Sequence, residues 1–135
     1  MQEKIIQKLY KLNEKAIKNG DVPVSCIITK NNRIISYGYN KKNKNHDPFG
    51  HAEIIAIRKA AKKLKRYNLS DCTLYVTLFP CDMCKSVINE CRIKKVFYIL
   101  NNNKKYNNTI KFSKIKLKNE QVYSDQLTNF FINKR

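Results

Sequence analysis

Hydrophobic residues recur along this chain with two periods, 3.6 and 2, and the switches between them divide it into elements. Residues 2–19 carry Ile5, Ile6, Leu9, Leu12, Ala16 and Ile17 at helical spacing and run into Gly20, a common helix stop, which predicts a packing helix. PVSCIITK and RIISYGYN flank Asn31 and Asn32, the pattern of a β-hairpin around two turn residues. A polar loop, KKNKNHDPFG, follows, in which Asp47 is placed as a helix cap and Pro48 as a first helical residue. A second helix is therefore expected from close to His51, with Ile54, Ile55, Ile57, Ala60, Ala61 and Leu64 on its apolar face. Residues 73–78 read as a strand, 81–91 as a helix and 95–100 as a strand, a compact strand, crossover helix and parallel strand. Beyond the polar stretch NNNKKYNN, a strand is predicted near 111–117 and a closing helix with Leu127, Phe130 and Phe131 on one face. Such a mixture implies helices layered on a mixed sheet.

Length confines these elements to one domain spanning residues 1–135. The longest purely apolar run, VFYIL, is too short to span a bilayer, and the amino end interleaves charges with apolar residues, unlike a signal peptide. A soluble, cytoplasmic protein without a membrane partner is expected. Charge changes the picture further: 28 Lys and Arg against 10 Asp and Glu give a formal net charge of +18. That field attracts polyanions such as nucleic acid, although a chain this rich in Lys and Asn reaches the same excess by composition alone.

The candidate chemistry starts from YVTLFPCDMCKS, residues 75–86. Cys81 and Cys84 lie one helical turn apart at a helix start, where the partial positive charge favours thiolate; metal ligation, redox chemistry and plain packing are all compatible with that spacing. HAE, residues 51–53, opens another helix and narrows the choice. His51 supplies a third ligand type, and three protein ligands leave one tetrahedral position of zinc open, the catalytic arrangement. Glu53, two residues on, is a carboxylate available for proton transfer. Taken singly, a histidine before an apolar helix and a glutamate in a first helical turn are ordinary; together with the cysteine pair they describe a hydrolytic zinc site. Cys91, Cys72 and Cys26 read as buried small side chains, and His46 lies too far along its loop to be assigned. Closing the site with Cys91 or His46 gives the contrasting case, a non-enzymatic RNA-binding module with structural zinc.

The H-x-E and P-C-x-x-C pair resembles the signature of the cytidine and nucleotide deaminase superfamily. Within it, DVPVSCIITKNNRIISYGYN, HDPFGHAEIIAIRKAA and LSDCTLYVTLFPCDMC are similar, in order and spacing, to the bacterial tRNA adenosine deaminases. The resemblance implies a three-layer α/β/α cytidine-deaminase-like fold on a mixed five-stranded sheet. It implies one zinc ion per subunit on His51, Cys81 and Cys84, with Glu53 as proton shuttle. It also implies Asn40 as hydrogen-bond partner of a flipped base, and Val22 and Pro23 as pocket wall. The implied reaction converts the wobble adenosine of an arginine tRNA to inosine, on a homodimer that the anticodon loop crosses.

The chain departs from that pattern at three places. Phe79 stands where TLEPC carries an acidic residue, and TLFPC followed by CKS is closer to deoxycytidylate deaminases. Phe49 and Gly50 replace Thr-Ala ahead of His51, and NNNKKYNN replaces an Arg-Asp-Ala-Lys-Thr-Gly stretch. The alternative reading is therefore a deaminase of a free cytosine or guanine base or nucleotide such as deoxycytidylate. Against it, only 29 residues separate His51 from Cys81, leaving no room for the extra metal or effector segments usual in that branch.

Overall fold

A computed structural model of the chain describes residues 2–102 and 110–133. Helix α1 (Gln2–Lys18) leads into strands β1 (Ser25–Lys30) and β2 (Arg33–Tyr39), a short helix α2 (Lys42–Asn45) and helix α3 (Ala52–Leu64). Strand β3 (Thr73–Leu78), helix α4 (Asp82–Glu90), strands β4 (Lys95–Leu100) and β5 (Lys111–Lys114) and helix α5 (Gln121–Asn133) complete it. The sheet order is β2-β1-β3-β4-β5, antiparallel across β2, β1 and β3 and parallel across β3, β4 and β5.

The β1–β2 turn is carried by Asn31 and Asn32, both at positive φ (51° and 61°), the conformation a two-residue hairpin needs and one that asparagine tolerates. Strands β3 and β4 align Thr73 with Lys95 and Leu78 with Leu100, so α4 is the predicted crossover. One face of the sheet packs Cys26, Ile28, Leu74, Val76 and Val96 against Ala52, Ala56, Ala60 and Ile88 of α3 and α4. The other packs Ile27 and Ile99 against Ile5, Leu9 and Leu12 of α1 and Tyr123 of α5. Helices on both faces of a mixed sheet make three layers.

Three expectations are corrected. Asp47 does not cap α3: its Oδ1 accepts the Phe49 N–H at 2.9 Å in a local turn, although the helix begins where expected, with His51 as its half-helical first residue. Strand β5 ends at Lys114, three residues short of the predicted run. The buried face of α5 centres on Tyr123 and Gln126, with Phe131 54% exposed, because Tyr123 Oη donates to the Ile6 carbonyl and Asn13 Nδ2 to Gln126 Oε1. A buried glutamine is invisible to a hydrophobic count. Most of the NNNKKYNN stretch lies outside the described residues.

Candidate metal and catalytic site

The site forms where α3 and α4 begin, side by side over one face of the sheet. His51 and Cys81 are the half-helical residues that open the two helices, and Cys84 lies one turn into α4. Each helix directs the positive end of its dipole to this spot. His51 Nδ1 is 3.5 Å from Cys84 Sγ and 3.7 Å from Cys81 Sγ, and the three ligand atoms lie within 4.8 Å of one another. Zinc bonds of about 2.3 Å to sulfur and about 2.0 Å to nitrogen at a tetrahedral angle set S and N about 3.6 Å apart. Both nitrogen–sulfur separations therefore suit zinc.

Electrostatics point the same way. Burial, then the Glu53 carboxylate and Cys81, push the Cys84 thiol well above its ordinary value. A divalent cation held by His51, Cys81 and Cys84 would reverse this and keep the sulfurs as thiolates. Burial, then Lys42, lowers the His51 pKa, which keeps the imidazole neutral and its lone pair available. Glu53 is 3% exposed and hydrogen-bonded to the Cys84 thiol, and burial pushes its pKa up to about 7. A carboxyl poised near neutrality both takes and returns a proton.

Asn40, just past β2, directs its Oδ1 to the Ala52 N–H at 2.9 Å. This is the cap that α3 lacks locally, supplied by a residue twelve positions earlier. Orientation of the amide follows: Oδ1 is engaged, and Nδ2 has no partner among the described residues and is left to donate. Val22 is half-buried and Pro23 buried at the entry to β1, and Asn40 N–H joins this segment by donating to the Val24 carbonyl at 3.0 Å. Cys91 is buried with its Sγ donating to the Ile88 carbonyl, and Cys26 and Cys72 are buried. Among the described residues the metal-type cluster contains neither these cysteines nor His46.

Four supporting residues carry no direct sign in the sequence. Gly38 lets β2 touch α3: a Cβ there would stand 2.6 Å from the Ala52 carbonyl oxygen and 3.0 Å from the Ala56 nitrogen. Gly50 meets the backbone of Lys41 and Lys42 in the same way, at 2.8–3.0 Å. Asp21, 4% exposed, accepts the Asn43 and Lys44 N–H groups at 2.6 and 3.2 Å and so fixes α2 beside His51. Asn102 Nδ2 donates to the Phe79 carbonyl at 3.1 Å, bracing the turn that presents Cys81. An acid ahead of Val-Pro and a glycine within an apolar strand were the only traces these left.

Phe79 itself is 5% exposed, edge-on to Tyr98 with ring centroids 5.0 Å apart and tilted against Phe112 at 4.8 Å. Its ring is packed against the sheet, so its identity also answers a packing demand.

Residues 1–100 match the family described as the cytidine and deoxycytidylate deaminase zinc-binding region. The tRNA-specific adenosine deaminase of Buchnera aphidicola from Schizaphis graminum is 38% identical over 131 residues, 89% of this chain and 87% of that protein. The protein of the same name from Buchnera aphidicola of Baizongia pistaciae is 44% identical over 115 residues, 85% of this chain, but the match spans only 62% of its length. Among solved structures, one from a study of A-to-I editing by tRNA deaminases at the wobble position superposes with a TM-score of 0.80 at 25% identity, covering 90% of this chain and 97% of that one. A guanine deaminase from Bacillus subtilis superposes with a TM-score of 0.69 at 29% identity, covering 96% and 94%. The fold is thus cytidine-deaminase-like, and the chain belongs to the zinc-binding cytidine and deoxycytidylate deaminase family, in its tRNA-specific adenosine deaminase branch.

Proposed function

We propose that this single domain is a hydrolytic deaminase that converts the wobble adenosine of a tRNA, an arginine tRNA in the first instance, to inosine. The observation that carries the reading is the joint placement of His51, Cys81, Cys84 and the buried Glu53 at two converging helix starts, in a chain similar to tRNA-specific adenosine deaminases along most of its length. His51, Cys81 and Cys84 hold one zinc ion per subunit. Bound there, zinc supplies a water acidified toward neutrality. Glu53 would take a proton from the attacking water and deliver it to the ring nitrogen, and would then pass the second proton, released by the hydroxyl added at C6, to the departing amine, so that C6 gains oxygen and loses ammonia. Asn40 donates from Nδ2 to an acceptor on the extruded base, and Val22 and Pro23 form the wall beside it.

The enzyme works in the cytoplasm as a homodimer with the anticodon loop across both subunits; among the described residues no helix is long and apolar enough to cross a membrane. Incubation of the zinc-loaded protein with an arginine tRNA bearing a wobble adenosine, followed by sequencing for inosine, tests the reading. Absence of conversion refutes it. A second reading, deamination of a free base, is favoured by the likeness to the Bacillus subtilis guanine deaminase. Ultraviolet assays on guanine, cytosine and deoxycytidylate separate the two.

A further inference from the structure

Strand β2 is an edge of the sheet, and it runs about 20 Å from Tyr39, beside Asn40, to Arg33 at the far hairpin. Two hollows line this edge. One is walled by Lys4, Lys8 and Lys11 of α1 together with Arg33, the other by Lys8, Lys59 and Lys63 around Tyr37, and they share Lys8 and Ile34. No acidic residue lines either hollow, whereas Glu14 and Asp125 line the groove between α1 and α5. Glu14 lies past the end of the strip, where it shares the neighbouring hollow with Lys11.

At the centre of the strip two ammonium groups converge on one exposed ring. Lys8 Nζ stands 4.3 Å from the Tyr37 centroid and Lys59 Nζ 5.3 Å, reaching it from α1 and α3. Neither has a carboxylate within ion-pair distance among the described residues. Like charges gathered without a counter-ion form the seat of an anion, and the ring offers a stacking face beside it. Lysines that merely guard an edge sit on the edge strand. Here five of the six cations come from helices that flank it.

We infer that the β2 edge is a second nucleic-acid surface, which holds the phosphate backbone of the substrate tRNA outside the deamination site through Lys4, Lys8, Lys11, Arg33, Lys59 and Lys63. This rests on the reading of the chain as an enzyme acting on tRNA. The strip is long enough to follow several consecutive phosphates, and its six cations contribute affinity and register.

The test compares two triple variants of equal net charge, Lys8→Gln/Lys59→Gln/Lys63→Gln on the strip and Lys94→Gln/Lys95→Gln/Lys111→Gln at the opposite part of the sheet. Thermal melting establishes that both are folded, and anisotropy with a labelled arginine tRNA transcript gives affinity over a range of salt. The strip variant is expected to bind about tenfold more weakly near 0.15 M salt, with a salt slope shallower by about 2 to 3, and to raise KM for deamination with kcat unchanged. The control variant keeps the slope and the KM. Equal losses in both variants, or no loss in the strip variant, overturn the inference while wild-type turnover leaves the enzymatic reading standing. A wild-type protein that neither binds nor deaminates the tRNA overturns the enzymatic reading, and the inference falls with it.

Discussion

Replacing Gly38 by Ala puts the coupling between the sheet and the catalytic helix to a quantitative test. The added Cβ would lie 2.6 Å from the Ala52 carbonyl oxygen and 3.0 Å from the Ala56 nitrogen, both backbone atoms of α3 that no side-chain rotation can move aside. Restoring ordinary contact requires a separation of roughly 0.8 Å between β2 and the first turn of α3, and overpacking of that kind costs about 1–3 kcal/mol. Reduced freedom of the unfolded chain returns about 0.4–1 kcal/mol, leaving a net loss of about 1–2 kcal/mol. For a chain of this size the melting temperature falls by about 4–8 °C. The same movement carries His51 and Glu53 away from Cys81 and Cys84, and a displacement approaching 1 Å lowers turnover by about a hundredfold. Differential scanning calorimetry and single-turnover inosine formation measure the two losses. A melting temperature at or above that of wild type, with normal turnover, refutes the argument that close backbone approach at Gly38 sets the site.

Glu53→Ala lowers turnover by about 10² to 10⁴-fold with zinc content by mass spectrometry unchanged; loss of zinc would mean that Glu53 is a ligand. Asn40→Asp keeps an oxygen for the Ala52 N–H and removes the Nδ2 donor, so deamination falls at least about tenfold while the melting temperature holds; unaltered turnover excludes the donor role. Asp21→Ala leaves the Asn43 and Lys44 N–H groups without their acceptor, and calorimetry is expected to register a loss of about 2 kcal/mol. Phe79→Leu lowers stability by about 1 kcal/mol without altering the ratio of activity on tRNA adenosine to that on deoxycytidylate; a changed ratio assigns Phe79 to substrate choice.

The parts of the fold that were legible are those written locally. Ile5, Leu9, Leu12 and Ala16 recur at helical spacing and are all buried, and the strands on either side of the Asn31-Asn32 turn pair as their alternation predicts. The cluster of His51, Cys81 and Cys84 was legible for the same reason, since the two cysteines share one turn and His51 opens the neighbouring helix. What stayed hidden depends on contacts made across the chain. The cap of α3 comes from Asn40 rather than Asp47, and α2 is fixed by Asp21, more than twenty residues away. Neither partner can be paired from spacing, because only the closed sheet brings the end of β2 to the start of α3.

Phe79 illustrates the converse case, a residue whose identity drew a functional meaning and whose surroundings supply a packing reason as well. An acidic side chain at this position needs a buried partner, whereas a phenyl ring needs apolar neighbours, and Tyr98 and Phe112 supply them with centroids at 5.0 and 4.8 Å. Its backbone carbonyl meanwhile accepts from Asn102, as the backbone of any residue there can do. The exchange is thus complete within the packing of β4 and β5, and the turn that presents Cys81 is preserved by the main chain. Choice among adenosine, guanine and cytosine must then depend on side chains that meet the base. In the role proposed for Asn40, the Ala52 N–H fixes which end of its amide is left over, and a fixed donor would discriminate among rings that differ in where their acceptors lie.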